Sequence, residues 1–206
     1  MGLLFDIHLH TSRYSGDSTI DPFRLIPQAV KAGLHGIAIT EHHRVWPQEE
    51  LDELVADANE PGFILLSGFE YTSSHGDALI YGLNPDQADT FIPRQLSPAE
   101  AVARAHQWGA ACVAAHPTRQ GLGFDEQLFD IPLEAIEARS CNLNNNEQRL
   151  ALTLSTDLNL RSTASSDAHR IQDVGKFATE FTLAIQSIND LVATLQNGDF
   201  RLPRSA

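Results

Sequence analysis

Residues 36–43 read GIAITEHH: a short buried strand, Gly36–Thr40, followed at once by a glutamate and two histidines. The arrangement recurs along the chain. LLFDIH at 3–8 is strand-like and leads into His8 and His10, which flank Leu9. A strand at Phe63–Tyr71 carries Glu70 near its end, and His75 and Asp77 occupy the turn before a strand at Ala78–Gly82. Ala111–Ala115 is followed by His116, and Arg161–Ser165 by Asp167 and His169. A group able to bind metal therefore recurs at the C-terminal ends of separate strands.

Between these strands lie segments with helical punctuation. Asp21-Pro22 is an N-cap with proline at the first helical position, and that helix runs to Ala32 and stops at Gly33. A second helix covers Gln48–Ala58. Ser97-Pro98-Ala99-Glu100 is a capping box opening a helix to about Trp108. Further helices are expected at Glu147–Thr156 and between Ser187 and Gly198, with strands at Ala135–Arg139 and near Glu180–Ile185. Short strands alternating with helices of about ten residues predict an α/β fold with a mostly parallel sheet, closer to a small or incomplete barrel than to an open doubly wound sheet. No glycine-rich strand-to-helix turn marks a dinucleotide site. With no repeat and no linker-like shift in composition, residues 1–206 read as a single domain.

The chain carries a net charge of −13, and Lys31 and Lys176 are its only lysines against twelve arginines. No basic stripe is available for duplex nucleic acid. An anionic substrate needs a local positive field from metal ions or clustered arginine. There is no apolar run of membrane-spanning length and no signal-peptide layout at the N-terminus. Cys112 and Cys141 form no metal-type pair and read as reduced thiols, so the cytoplasm is the expected compartment.

In a barrel the C-terminal strand ends converge on one mouth, where active sites are built. Residues i and i+2 of a strand point to the same side, so His8 and His10 can hold one ion together. Imidazole with carboxylate suits zinc, manganese or iron, and the carboxylates also suit magnesium. Of the nine histidines, His35 lies in a helix-to-strand turn and His106 within a helix, and both read as ordinary loop or core residues.

The ordered set HLHTSRYS, ITEHH, GFE, AHP and SSDAH, spread over nearly the whole chain, resembles the polymerase-and-histidinol-phosphatase (PHP) family of metal-dependent phosphoesterases. That resemblance implies a distorted seven-stranded β/α (TIM-like) barrel and two or three divalent metal ions. It implies His8, His10 and Asp167 as ligands of a first ion and Glu70 as the carboxylate bridging to a second, which His116 also holds. His42 and His169, with Asp17, are the implied ligands of a third. Either His75 or Asp77 completes the second site, because many relatives carry a histidine in the Gly-His turn where this chain has Gly76-Asp77. Glu41 stands where relatives often have aspartate, and Ser140 where they often have asparagine.

The chemistry expected of such a cluster is hydrolysis of a small phosphorylated substrate, monoester or diester, by a metal-bound hydroxide. Arg13, Arg119 and Arg170 each lie within three residues of an implied ligand and are expected to bind the phosphoryl group. Glu41 or His43 is the expected proton donor to the leaving oxygen. Two other readings are an amidohydrolase-type C–N or C–O hydrolase and a non-catalytic metal-binding module. Amidohydrolases with two metals typically bridge them through a carboxylated lysine, and neither Lys31, late in a helix, nor Lys176, in a loop, is placed for that.

Overall fold

In β2 (Gly36–His42) successive side chains alternate between two environments. Ile37 and Ile39 pack outward with Leu25, Ile26 and Ala29 of α1 (Leu25–Lys31) and with Leu51 and Leu54 of α2 (Gln48–Ala58). Ala38 packs inward with Phe5, Leu66, Leu79 and Val113. The same division runs round the sheet and gives a sheet-enclosed core and an outer layer of helices, as in a barrel.

The computed structural model describes residues 2–92 and 95–203; residues 1, 93–94 and 204–206 of the expected single domain lie outside the described residues. The remaining strands are β1 (Leu3–Asp6), β3 (Ile64–Tyr71), β4 (Asp77–Tyr81), β5 (Ala111–Ala115), β6 (Ala135–Arg139), β7 (Arg161–Ala164), β8 (Thr179–Phe181) and β9 (Phe200–Arg201). They form one sheet in the order β7-β6-β5-β4-β3-β2-β1-β8-β9. The edges approach closure at two heights. Near the mouth, Leu9 bridges Ala168 in parallel, and the Asp167 amide donates to the His8 carbonyl at 2.7 Å. Lower down, the Thr179 hydroxyl of β8 accepts from the Ala164 amide at 3.0 Å and donates to its carbonyl at 2.9 Å.

The other helices are α3 (Pro85–Asp89), α4 (Pro98–Gln107), α5 (Asn145–Asp157) and α6 (Ile188–Asn197). Ser97 and Asn144 close reciprocal capping boxes with Glu100 and Glu147, as the sequence predicted for the first of them. Leu191, Val192 and Leu195 of α6 pack on the inner cluster.

Four expectations need correction. The described sheet has nine strands rather than seven, because β8 and the two-residue β9 extend it past β1. It is not mostly parallel: β4 runs antiparallel to both β3 and β5, and β8 runs antiparallel to β1 and β9. A tight turn at residues 72–76 joins β3 to β4 directly, which leaves no room for a crossover helix. The first strand ends at Asp6 instead of His8, and the last expected one shortens to Thr179–Phe181.

Candidate metal centre

The strand alternation that sets the core also selects which polar side chains enter the mouth. On β3 the inward positions include Leu66 and Glu70, while Phe69 and Tyr71 pack in the outer layer. On β6 Ala135 packs inward and Ile136 outward, so Glu137 returns to the inside. At β1 the alternation breaks: Phe5 and Ile7 pack inside and Leu9 outside, which leaves His8 and His10 together on the inner side. His116 and Asp167 follow their strands with φ of 30° and 49°. That left-handed backbone is strained for residues other than glycine and concentrates at functional sites. Gly76, with φ of 117° and the Phe124 ring where a Cβ would lie, turns the chain so that Asp77 opens β4 at this same end.

Glu70 is the hub. Its Oε1 lies 3.1 Å from His116 Nε2, and its Oε2 lies 3.1 Å from His42 Nδ1, 3.3 Å from His10 Nε2 and 3.6 Å from His8 Nε2. Asp167 Oδ1 approaches the same His8 and His10 nitrogens at 3.3 and 3.4 Å. Glu70, Asp77 and His116 form an adjoining group of potential ligands. On the outer side, Asp17 Oδ2 sits 3.2 Å from both His42 Nε2 and His169 Nε2. The His10 ring stacks between those two imidazoles, at 4.4 and 4.3 Å between centroids.

The imidazoles are held from behind. His8 Nδ1 meets Glu137 Oε1 at 2.9 Å, and the other Glu137 oxygen accepts the His116 amide at 2.9 Å. His10 Nδ1 meets the Ser15 hydroxyl at 3.3 Å, and that hydroxyl donates to Glu41. With both Nδ1 atoms committed as donors, the two Nε2 atoms face one another at 3.1 Å. Two lone pairs do not hold that contact without a proton or a cation between them. His116 Nδ1 is buried with no hydrogen-bond partner. These donor sets, imidazole nitrogen with carboxylate oxygen converging on shared points, fit divalent ions.

The electrostatics agree. Burial by itself depresses a histidine, and His10 is lowered to about 4. At His8 the same burial is outweighed by the Asp167, Glu137 and Glu70 carboxylates, which hold it well above the ordinary range. Burial would raise Glu70, but the His8 charge and hydrogen bonds from His116 and His42 keep it well below the carboxylate range. Burial, and then Glu70, push Asp77 up to about 6. Without an added cation the cluster keeps protons where its carboxylates crowd, and ions of higher charge would displace them.

The mouth opens into a cleft of about 810 Å³ whose lining includes Tyr14, Asp17, Arg119, Leu122, Asn142 and Arg170. The structure brings together His8, His10, Asp17, His42, Glu70, Asp77, His116, Asp167 and His169. Four other sequence-predicted residues stand elsewhere. His75 turns outward to Asp125, 2.7 Å away, so of the two open candidates only Asp77 joins Glu70 and His116. Arg13 pairs with Glu50 at 3.2 Å away from the cleft. Glu41 is one of the outward positions of β2, where it accepts from Thr11, Ser15 and Trp46 and is positioned to orient a ligand rather than reach substrate. His43, with φ of 57°, packs edge-on against Tyr71, and its Nε2 accepts the Thr72 amide at 3.3 Å. Arg119 and Arg170 do line the cleft, Arg170 with its Nε on Asp173 at 3.1 Å.

Sequence reasoning passed over Glu137 and Asn142. The first was legible as an acid on the inward side of an apolar strand. Asn142 donates to Asp167 Oδ2 at 2.7 Å from a loop whose course no periodicity encodes.

Comparison with known proteins gives consistent results. The sequence model of the PHP domain matches residues 6–116, and that of a PHP-associated family matches residues 145–200. An uncharacterized protein of Methanocaldococcus jannaschii is 30% identical over 145 residues, which cover 64% of this chain and 78% of that protein. Among solved structures, the chain superposes on a two-domain protein from Bacteroides vulgatus containing a predicted PHP-like metal-dependent phosphoesterase, with a TM-score of 0.73 and 20% identity. That match covers 97% of this chain but only 64% of the other. An amidohydrolase from Chromobacterium violaceum, solved with bound sulfate and no metal, matches at a TM-score of 0.63 and 14% identity, covering 98% of each chain. At these identities the likenesses speak to the fold.

Proposed function

The chain belongs to the PHP domain family, and from that premise we propose that it is a metal-dependent phosphoesterase, hydrolysing a small phosphate monoester or diester with two or three divalent ions. In this reading His8, His10 and Asp167 hold one ion. Glu70 bridges it to a second, which His116 and Asp77 complete, and His42, His169 and Asp17 hold a third. The observation that carries the reading is Glu70, a buried carboxylate with each oxygen turned to a different set of imidazoles. Divalent ions in such a cluster activate water near neutral pH and neutralise charge on the phosphoryl group.

The chain's own residues supply the rest. Asp17, Glu70, Asp77 and Asp167 put up to four negative charges at the mouth, offset without metal only by protons on imidazoles such as His8 and His42, so divalent cations make the site more attractive to phosphate. Arg119 lines the cleft with its Nη1 3.9 Å from Asp167, where its guanidinium can donate to an anion bound beside that carboxylate. Glu137 and the Ser15–Glu41 pair keep the His8 and His10 rings aimed inward. Both cysteines are free thiols, which agrees with a reducing, cytoplasmic setting. Among the described residues no helix is long and apolar enough to cross a membrane.

The amidohydrolase likeness supports a rival C–N or C–O hydrolase. Binuclear members of that class typically use a bridging carboxylated lysine, and neither lysine lines the cleft: Lys31 is exposed on α1, and Lys176 pairs with Asp173 at 2.6 Å. Turnover of p-nitrophenyl phosphate and its bis-ester by the full chain, with manganese or zinc and after chelation, tests the proposal. Metal-dependent release of nitrophenol is expected; no release with either metal would reject the phosphoesterase reading.

A further inference from the structure

At the opposite end of the sheet from the mouth, His106 and Cys112, which the sequence left as ordinary, come together with Glu134. His106 lies in the last turn of α4, Cys112 is the second residue of β5, and Glu134 immediately precedes β6. Their donor atoms, an imidazole nitrogen, a thiol sulfur and a carboxylate oxygen, all lie within 4.8 Å of one another. His106 Nε2 is 3.2 Å from Glu134 Oε1, and Glu134 Oε2 accepts the Cys112 amide at 2.6 Å, which fixes the carboxylate beside the thiol. Cys112 belongs to the outer apolar cluster, facing α4 and away from the inner core that lies beneath the mouth. Four residues of strand, at about 3.3 Å each, put the two ends of β5 roughly 13 Å apart. This cluster is therefore separate from His116 and its neighbours.

We propose that His106, Cys112 and Glu134 form a second, thiolate-containing site for zinc or a similar borderline-soft divalent ion, with water as the fourth ligand. The donor set is right for such an ion, since thiolate and imidazole select zinc over magnesium or calcium. The dimensions are right too: a tetrahedral ion bound at about 2.0–2.1 Å to nitrogen and oxygen spaces those two donors roughly 3.3 Å apart. The access is graded. Cys112 is fully buried, while His106 and Glu134 are 29% and 16% exposed and form the solvent side, where an ion can enter. On binding, a metal–sulfur bond forms, the thiol proton leaves to solvent, and thiolate with carboxylate neutralises the dication. The bound ion would tie the end of α4 to the starts of β5 and β6, the two strands that deliver His116 and Glu137.

Cobalt(II) is the probe, because the mouth contains no thiolate. The full chain, stripped of metal and titrated with cobalt, should develop a near-ultraviolet sulfur-to-cobalt charge-transfer band that saturates at one equivalent of this site. Cys112→Ser should abolish the band, and His106→Ala, a change on the partly exposed face of α4, should shift the titration to higher cobalt. Cys141→Ser and the mouth variant Asp167→Asn should leave it in place. Near-ultraviolet circular dichroism checks that each variant is folded. A folded wild type with no such band at saturating cobalt, or a band that survives Cys112→Ser or depends on Cys141, overturns the proposal.

Discussion

The mouth has an inner and an outer half built from the same residue types under different physical conditions. Inside, His8, His10, His116, Glu70 and Asp167 are buried, and the His8 and His10 rings are braced by Glu137 and Ser15. Outside, His42 and His169 are partly exposed, and the carboxylate they share, Asp17, is 58% exposed on a loop. In the inner half fixed partners hold the His8 and His10 rings from behind, so their facing nitrogens are preorganised for ions. The outer half keeps its water and its freedom, which suits an ion that exchanges or a ligand set that adjusts to substrate. The difference predicts unequal effects for like-for-like substitutions.

The largest effect falls on Glu70, which touches both halves through His42, His10, His8 and His116. Glu70→Gln should lose at least one equivalent of metal and cut turnover by about 100-fold or more. Elemental analysis and kcat on the same preparation check this; full metal content with unchanged turnover would break the assignment of Glu70 as the joint between the halves. Next comes Glu137, which touches only the inner half and only from behind. Glu137→Gln keeps the shape and removes the charge that aligns His8. Its expected cost is about 10-fold to 100-fold in affinity for the inner ions. A competitive chelator titration measures it, and wild-type affinity would mean that the ring is held by packing alone.

The two halves were also unequally legible in the sequence. The strand-end rhythm pointed to the histidines of both and to the inner acids, because a histidine or carboxylate directly after an apolar strand needs only the strand to be placed, whereas Asp17 of the outer half sits in a loop and came only from the family resemblance. Side-chain parity decided the rest. His42 shares the inward parity of Ala38, whereas Glu41 shares that of Ile37 and Ile39 and goes to the helix layer. A strand read only by its C-terminal end does not reveal that split. Asp77 was open against His75 because the direction of β4 is set by a tight turn and by pairing with β5, a non-local fact. Glu137 was within reach of parity reasoning. Asn142, the Arg13–Glu50 pair and the convergence of His106 with Cys112 and Glu134 depend on tertiary approach and carry no local signal.

Asp17 sharpens the comparison from the outer side. Asp17→Asn should remove the most weakly held ion while the inner ions remain, with a fall in kcat/KM of about tenfold or less. Metal content dropping by a single equivalent is the expected reading; loss of all metal would show that the halves are one cooperative unit.

The smallest effects separate two arginines that looked alike in the sequence. Arg119 lines the cleft 3.9 Å from Asp167, and Arg119→Ala should lower kcat/KM by about tenfold with metal content unchanged, since it removes a donor to the anion and no ligand. Arg13 lies one loop away with its guanidinium on Glu50 and faces solvent beyond it. An exposed pair of this kind contributes little to stability, and its geometry gives it no path to the phosphoryl group. Arg13→Ala should therefore leave kcat, KM, metal content and melting temperature at wild-type values. A rise in KM for Arg13→Ala alone would mean that the loop of residues 11–19 moves on binding and carries Arg13 over the outer half. In that case the exposure of Asp17 would describe an open state of the mouth instead of a permanently wet one.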